Sequence, residues 1–481
     1  MRSATVIRYV GMVVLLNAAF MFLSALVALF NGVDTSFFPL LMSFIITSVV
    51  GLFPLIFVPK ESHLVAKEGY AVVVGSWIMS FLAGMLPYLI WGGEFTLINA
   101  WFETVSGYTT TGSTILTDIE ALPKGLLFWR SCTHWIGGVG VVLFALVLLP
   151  SVGRTKMKIS NFEISEMAKD NFRFTTRKLL KVIVSVYAGL TFVETILLWM
   201  AGMSFFDAIT HSFSTIATGG LSTRNASIAH WDSLTIEMIV MVFMLLAGTH
   251  LGLLYSTIVG RRKNIFRSDV WRFLMVSISV SILFVSINLY TTDIYDSFWD
   301  ALRYGAFQVV SFVSTTGFAS ADASAWPPFS VLLLIFLSMQ CAMSGSTTGG
   351  LKVDRVVALY KAIRARVLKI QHPNAVIRVK LHGTTMENDV INFAVLFVAV
   401  YLLIMFVSTM VMALYGYDLL TSFTVSVATL GNVGPGFGLV NNMANFSFFP
   451  EGAKLWLTFV MLLGRLEIFG LLHIFLIRSW K

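Results

Sequence analysis

Four short segments of this chain carry hydroxyl or amide side chains that lead up to a glycine, each within an apolar region. They are YTTTGST at 108–114, STIATGGLST at 214–223, SFVSTTGFAS at 311–320 and VATLGNVGPG at 427–436, termed filter loops 1 to 4. Glycine permits backbone turns that other residues resist, and inward-pointing carbonyl oxygens can replace the water around a cation. We therefore expect the four loops to converge on one axis and to bind a cation.

The glycines of these loops mark the expected ion-binding positions. In the second loop Gly219 is followed at once by Gly220, which leaves the register of that loop open by one residue. A single loop of this kind is more often the end of a helix, but four copies favour a shared function. The residues expected to hold the ion are Thr110, Thr111, Gly112, Thr218, Gly219, Thr315, Thr316, Gly317, Asn432, Val433 and Gly434.

The composition is that of an integral membrane protein. Of 481 residues, 57% are hydrophobic and 12% are charged, with a mean hydropathy of +0.82, whereas soluble domains carry about 25% charged residues. The net charge of +8 could suggest a nucleic-acid partner. With the N-terminus inside, however, 27 of the 33 Lys and Arg residues fall on the inner side of the expected spans. This is the positive-inside bias of membrane proteins, so we expect cytoplasmic termini and no nucleic-acid partner.

The expected outer loops are acidic, which would concentrate cations at the mouth of a pore. Their acidic residues are Asp34, Glu94, Asp118, Glu120, Asp232, Asp293, Asp296, Asp322 and Glu451.

The elements that must position the filter loops follow from the apolar runs. Runs at about 5–30 and 36–58 predict two leading transmembrane helices. Four units follow, each a rising helix, a re-entrant half-helix, a filter loop and a descending helix. Non-helical backbone at membrane depth is tolerated only beside protein or a wet cavity. The half-helices are expected at 97–108, 204–216, 297–313 and 417–428, and the descending helices at 125–149, 234–259, from 329, and at 452–477.

The expected fold is therefore an all-α integral membrane protein with ten full spans and four half-helices. Four helix, re-entrant pore loop and helix repeats surround a pseudo-fourfold pore, and the C-terminal dipoles of the half-helices favour a cation there. The divisions are 1–62 for the leading helices, 63–152 for repeat 1, 153–176 for a basic cytoplasmic connection, 177–262 for repeat 2, 263–372 for repeat 3 and 373–481 for repeat 4.

Below the third filter loop the descending helix is interrupted by CAMSGSTTGG at 341–350. Glycines and hydroxyls at mid-membrane weaken a helix and can face a wet cavity, so a mobile loop is expected here, with a packed kink as the alternative. A phosphate-binding loop is disfavoured, because no strand precedes GSTTGGLK and the Lys-Ser/Thr pair is missing. The expected gate residues are Gly345, Ser346, Thr347, Thr348, Gly349 and Gly350, together with Arg465.

Arg465 and Glu467 lie in the middle of the last apolar run. Charges within a membrane are rare and usually face a cavity or a partner, so Arg465 is expected to slow cation passage by repulsion. The alternative is a salt bridge with Glu467 or with Glu103, and both could hold together.

Small residues at matching depth indicate close helix packing. They are Gly137, Gly138, Gly140, Gly248 and Gly252, and a dimer seam there is a weaker alternative.

Two rival classes remain open at this point. His134, His211, His250 and His473 lie in or near apolar runs, which raises a membrane-embedded metalloenzyme, but metal sites usually cluster their ligands at spacings such as HExxH, and none occurs. We expect no catalysis. The other rival is a carrier coupled to Na⁺ or H⁺. The two cysteines, Cys132 and Cys341, are expected to be buried free thiols.

The whole chain resembles the Trk/Ktr/HKT superfamily of potassium transporters, most closely its bacterial Trk branch. The resemblance lies in the four filter loops, in GSTTGGLKVDR at 345–355 and in LLGRLEIFG at 462–470. It implies that glycine at position 112 selects potassium, that the 345–350 loop is a gate, and that Arg465 lies in the ion path. It also implies a homodimer in the bacterial cytoplasmic membrane, with a nucleotide-binding regulatory ring of RCK type on the basic inner face. K⁺ is then the bound and transported ion, with no covalent cofactor.

Overall fold

A computed structural model of the chain describes residues 3–59, 66–151, 176–260, 265–375, 378–381 and 384–468. The described part is almost entirely helical. Its one small sheet is a two-stranded antiparallel hairpin, β1 (Lys380–Leu381) with β2 (Thr384–Thr385), in which Lys380 pairs with Thr385. The all-α class expected from the sequence is confirmed.

The two leading helices are α1 (Ser3–Phe30) and α2 (Phe37–Phe57), and they pack closely against each other. A Cβ atom on Gly11 would lie 2.8 Å from the Gly51 carbonyl oxygen, so glycine is what allows this approach. Helix α1 also contacts the first repeat, where Asn17 donates to Ser80 Oγ at 2.8 Å and accepts from Tyr108 Oη at 3.1 Å. Helix α1 therefore braces the end of the first half-helix.

Four repeats follow in the order expected. Repeat 1 contains α3 (Ala66–Gly84), α4 (Leu86–Trp91), half-helix α5 (Leu97–Tyr108) and α6 (Lys124–Ser151). Repeat 2 contains α7 (Thr176–Met200), half-helix α8 (Phe205–Ile216), α9 (Leu234–Ala247) and α10 (Leu251–Val259). Repeat 3 contains α11 (Asp269–Thr291), half-helix α12 (Phe298–Val313), α13 (Pro328–Gln340) and α14 (Val353–Gln371). Repeat 4 contains α15 (Asn388–Leu414), half-helix α16 (Leu419–Leu430) and α17 (Glu451–Arg465). Short 3₁₀ turns lie at Ser227–Trp231, Ile265–Arg267 and Gly438–Val440.

Each half-helix begins at a polar cap. The side chains of Thr96, Ser204, Ser297 and Asp418 accept a hydrogen bond from a backbone N–H two or three residues further on. Such caps satisfy donors that the first turn of a helix leaves free. The sequence thus fixes locally where each half-helix starts.

Not all of the ten expected spans are unbroken helices in the described residues. Six helices there are long and apolar enough to cross a bilayer, and a seventh span counts if α9 and α10 are taken together. These two helices meet at a bend of 101° between Ala247 and Leu251, so the continuous helix expected over 234–259 is wrong. Helix α17 ends at Arg465, and the remainder of the span expected over 452–477 lies, from residue 469, outside the described residues. The expected connection at 153–176 also falls there, apart from residue 176.

Candidate ion filter and the loop beneath it

All four half-helices end in the same turn. The residue after the C-cap adopts a positive φ, +51° at Thr110, +55° at Thr218 and Thr315, and +53° at Asn432. The next N–H reaches back to a carbonyl five residues earlier, as Thr111 N does to Ser106 O at 2.9 Å and Val433 N to Ala428 O at 2.9 Å. This is the Schellman pattern, which usually places glycine at the positive-φ residue. A β-branched residue there is strained, and such strain is concentrated at functional sites.

After that turn the four loops form a closed ring, which the four glycines with positive φ make possible. A Cβ atom on Gly112 would lie 2.0 Å from the carbonyl oxygen of Gly219. The same atom on Gly220 would lie 1.9 Å from Thr316 O, on Gly317 2.2 Å from Val433 O, and on Gly434 2.4 Å from Thr111 O. Each glycine thus contacts the next loop, and the fourth returns to the first. The loops surround one axis with pseudo-fourfold symmetry.

This geometry fixes the register of the second loop. Gly220 has a φ of +76°, beside +81° at Gly112, +77° at Gly317 and +95° at Gly434. Gly219 instead takes the position of Thr111, Thr316 and Val433. The register that the sequence left open by one residue therefore places Gly220, and not Gly219, at the shared glycine position.

Side chains reinforce the ring in two ways. In loops 1 and 3 a hydroxyl pair joins the C-cap residue to the loop: Thr109 to Thr111, and Ser314 to Thr316, both at 2.8 Å. In loop 4, Asn432 Nδ2 donates to Thr111 Oγ1 at 3.0 Å and to Met461 O at 2.9 Å. Loops 2 and 4 carry Ala217 and Gly431 at the C-cap position, so they lack the hydroxyl pair.

A buried ion pair, which sequence reasoning missed, braces the first loop from behind. Arg130 of α6 donates to Glu103 of α5 at 2.8 Å, and both side chains are 1% exposed. Glu103 also accepts from Thr114 Oγ1 at 3.0 Å and from Ile115 N at 3.1 Å. The signal was present, because a carboxylate inside an apolar half-helix requires a partner.

The other loops have smaller braces from their own half-helices. His211 Nε2 lies 2.9 Å from Ser222 Oγ, and Gln308 Nε2 donates to Ala321 O at 3.1 Å. Thr424 Oγ1 donates to the carbonyl of Phe437 at 2.9 Å and accepts from its N–H at 3.0 Å. Each filter loop, or the residue that directly follows it, is thus held by a buried polar side chain.

The interruption of the third descending helix lies directly below the ring. Thr347 Oγ1 donates to Ile216 O, the last carbonyl of α8, at 3.0 Å. Gly349 N donates to Thr315 Oγ1 at 3.4 Å, and a Cβ atom on Gly349 would lie 2.5 Å from Asn432 Oδ1. Gly350, with a φ of +61°, packs against Gly431. The 341–352 segment therefore contacts the ends of three half-helices.

The same segment pairs with the break between α9 and α10. Met343 N donates to Gly248 O and Leu251 N donates to Gly345 O, each at 3.1 Å. The two breaks satisfy one another's backbone groups, as a membrane interior requires. Gly248 therefore serves this junction rather than continuous helix packing. Gly137 and Gly138 do pack closely, against the Tyr108 carbonyl and against Ala217.

Arg465 joins three repeats beneath the filter. Its guanidinium donates to Thr347 O at 2.7 Å and to Gly137 O at 3.1 Å, and the residue is 1% exposed. The two carboxylates considered as its partners are bound elsewhere, Glu103 to Arg130 and Glu467 to Arg355 at 2.5 Å. The alternative of a salt bridge between Arg465 and Glu103 is therefore not found, because Glu103 is paired with Arg130.

On the side that the sequence predicts to face outward, a cavity of about 110 Å³ has the glycines Gly112, Gly220, Gly317 and Gly434 in its lining. At its rim Asn225 donates to Asp118 Oδ1 at 2.8 Å and accepts from Ile119 N at 2.7 Å, which joins loops of repeats 1 and 2. The hydrogen bond from Asn225 lowers the pKa of Asp118 below its usual value. The rim therefore keeps a negative charge to lower pH.

The structure also locates the histidines and cysteines singled out in the sequence. Within the parts of the chain that the structure covers, no three His, Cys, Asp or Glu side chains are grouped to hold a metal ion. His134 and His211 contact hydroxyl groups of α8 and filter loop 2, and His473 lies outside the described residues. Cys132 and Cys341 are buried and free, as expected.

An all-helical bundle whose four re-entrant loops close into one ring defines a polytopic membrane transport protein. Comparison with known proteins gives its family. The protein-family model described as "TrkH: Cation transport protein" matches residues 37–479, and the chain belongs to this family. It is therefore a transport protein and not an enzyme.

The similarity to known relatives extends over the whole chain. The "Trk system potassium uptake protein TrkH" of Salmonella typhimurium is 34% identical over 489 residues, covering 100% of both chains. The protein of the same name from Halomonas elongata is 35% identical, covering 90% of each. The crystal structure of the potassium transporter TrkH from Vibrio parahaemolyticus matches with a TM-score of 0.89, 32% identity and 98% coverage of both chains.

Proposed function

We propose that this protein takes up K⁺ across the bacterial cytoplasmic membrane by channel-like permeation through the four-loop ring. The observation that carries the proposal is the closed order of contacts in which each loop's glycine abuts a carbonyl oxygen of the next. Four such oxygens around one axis can replace the hydration shell of a cation. The names of the relatives supply the ion, because they are described as potassium uptake proteins.

The ion sites are assigned to the loop residues on the axis. They are Thr110, Thr111, Gly112, Thr218, Gly219, Gly220, Thr315, Thr316, Gly317, Asn432, Val433 and Gly434. The half-helices aim their C-termini at the ring, and the partial negative charge there favours a cation. A membrane potential of 100 mV supplies about 2.3 kcal/mol per charge, enough for accumulation of roughly fiftyfold without chemical coupling.

The segment beneath the ring acts as the gate. Residues 346–350 are buried, and Thr347, Gly349 and Gly350 contact the ends of α8, α12 and α16. In the proposed mechanism this segment closes the route from the filter to the inner side. Gly345 and Gly350 have positive φ and bound the mobile part. Arg465 holds the gate closed through Thr347 and adds electrostatic repulsion to the passing cation.

The inner face provides the regulatory surface. Arg364, Arg366 and Lys369 are exposed on α14, the helix that continues from the gate. We assign this face to a cytosolic nucleotide-binding ring of RCK type, with the transporter as a homodimer and both termini in the cytoplasm. The sequence predicts a second basic inner loop over 154–181, and its residues up to 175 lie outside the described residues.

The direct test is ⁸⁶Rb⁺ uptake into liposomes containing the purified protein under an imposed voltage. Uptake should follow the voltage and persist when Na⁺ and pH gradients are removed in turn. Uptake that collapses with either gradient would establish the coupled carrier instead.

Selectivity tests the filter assignment itself. A Cβ atom at residue 112 would lie 2.0 Å from the Gly219 carbonyl oxygen, so Gly112→Ser must displace an oxygen of the ring. We expect the preference for Rb⁺ over Na⁺ to fall by about tenfold, a change of about 1.4 kcal/mol. Gly189→Ser is the matched control, because a Cβ there has open space. Unaltered selectivity in folded Gly112→Ser protein would contradict the assignment.

A further inference from the structure

Filter loop 2 departs from the other three loops at one position. Where loops 1, 3 and 4 carry Thr111, Thr316 and Val433, loop 2 carries Gly219. Gly219 does not have a positive φ, so its backbone does not require glycine. Some other feature must exclude a side chain there.

The excluding feature is the imidazole ring of His134. A Cβ atom on Gly219 would lie 2.4 Å from Nδ1, 2.5 Å from Cε1 and 2.7 Å from Cγ of that ring. Contacts under 3.0 Å are not tolerated by real side chains. The ring therefore fills the volume that a side chain of the loop fills in the other three repeats.

His134 is also held where it can act on the loop. It is fully buried on α6, and its Nδ1 lies 3.3 Å from Ser214 Oγ on half-helix α8. Ser214 O accepts the hydrogen bond from Gly219 N at 2.8 Å that closes the end of this half-helix. One residue therefore contacts both the loop and the turn that precedes it.

Loop 2 has lost the internal support that its neighbours possess. Loops 1 and 3 are tied by the hydroxyl pairs Thr109–Thr111 and Ser314–Thr316. Loop 2 carries Ala217 and Gly219 at the equivalent positions and can form no such pair. The support comes instead from the descending helix of the preceding repeat.

We propose that His134 is a positioning residue of the filter, whose ring replaces the side chain absent at Gly219 and thereby sets the cation selectivity of loop 2. This proposal rests on the proposed function, because selectivity has meaning only if the ring conducts. The shape complementarity between His134 and Gly219 does not depend on transport and can be measured separately.

The test is a double-substitution cycle, read by unfolding temperature in detergent and by ⁸⁶Rb⁺ and ²²Na⁺ uptake in liposomes. Gly219→Thr alone must collide with the ring, and we expect it to lower the unfolding temperature and to reduce ⁸⁶Rb⁺ uptake by about tenfold or more. His134→Ala alone leaves the loop unsupported, so the Rb⁺ to Na⁺ uptake ratio should fall by about tenfold while the protein still folds. The double variant should recover both the unfolding temperature and the uptake ratio to within about threefold of the parent. His230→Ala, an exposed histidine on the outer side, is the control and should change neither quantity.

Additive effects in the cycle would overturn the proposal, as would an unchanged uptake ratio in folded His134→Ala protein. A general loss of packing would lower the unfolding temperature in both single variants but would not be rescued by combining them. If the parent protein fails to take up ⁸⁶Rb⁺, the proposed function fails, whereas the unfolding temperatures of the four proteins still report whether the two residues are complementary.

Discussion

The four repeats are alike in the filter and differ from one another in the region directly beneath it. In the filter, all four loops share the same turn, the same sign of φ and the same contact with the next loop. Beneath it the descending helices diverge: α6 runs unbroken from Lys124 to Ser151, whereas the second is bent by 101° and the third is interrupted over 341–352. Binding an ion on an axis requires equivalent oxygens from every side. Opening and closing requires only one segment that can move, so the lower half is free to be asymmetric.

The largest effect on stability is expected at the Glu103–Arg130 pair, which supports only one of the four similar filter loops. Glu103→Gln leaves a guanidinium buried without its counter-charge, which costs about 3–5 kcal/mol. We expect a large drop in unfolding temperature in detergent and little folded protein. Combining it with Arg130→Met should restore much of the loss, because removing both charges is often near neutral.

The comparison pair for that experiment is Glu120 with Arg224, 3.5 Å apart and 40% and 34% exposed. Glu120→Gln should change stability by only about 0–1 kcal/mol. Equal effects of Glu103→Gln and Glu120→Gln would show that the buried brace does not hold filter loop 1.

Arg465→Ala probes the lower half and should act on rate rather than on selectivity. It removes the hydrogen bonds to Thr347 O and Gly137 O and, under the proposed function, a positive charge near the ion path. At about 5 Å and an effective dielectric of about 20 the repulsion is roughly 3 kcal/mol, so ⁸⁶Rb⁺ flux should rise by up to about a hundredfold. The Rb⁺ to Na⁺ ratio should stay unchanged. A folded variant with equal or lower flux would remove Arg465 from the gate.

Asn225→Ala gives the smallest expected effect, at the outer rim. Without the amide, the pKa of Asp118 should return towards its usual value, because the hydrogen bond from Asn225 lowers it. A lowered carboxylate pKa stabilises the ionised form, an effect present above the usual pKa and lost as the pH falls through the lowered one. The variant should therefore lose rim charge at a higher pH, with a rise of less than about threefold in the KM for ⁸⁶Rb⁺ as the medium is acidified. Asn31→Ala, another exposed amide on the outer side, should leave the pH profile of KM unchanged.

The sequence located the symmetric half of the molecule well, since its signals are local. Each half-helix has a polar cap residue at its start and a polar run before a glycine at its end, and the first was expected at the residues where α5 is found. The register of loop 2 could not be read in the same way. Two consecutive glycines are chemically equal in the sequence, and they are distinguished only in the folded chain, where Gly220 has the positive φ and contacts Thr316 O while Gly219 contacts His134.

The asymmetric half depends on contacts between distant segments. The bend at Gly248 lies in an apolar run without proline, and it is completed by hydrogen bonds with Met343 and Gly345 about a hundred residues later. An apolar composition is the same for a straight and for a broken span. The interruption of the third descending helix was easier to predict, because glycines and hydroxyl side chains are concentrated at 341–350.

Because one chain supplies all four filter loops, a single mutation changes only one of them. In an assembly of four identical subunits, every codon change would alter all four quarters of the pore together, and its energetic effect would be multiplied. Here each quarter of the ring is encoded by its own codons. The pair Gly219 and His134 can therefore differ from the equivalent residues of the other repeats without any change in those repeats. Ion preference can thus be adjusted in small increments during evolution, one side of the pore at a time.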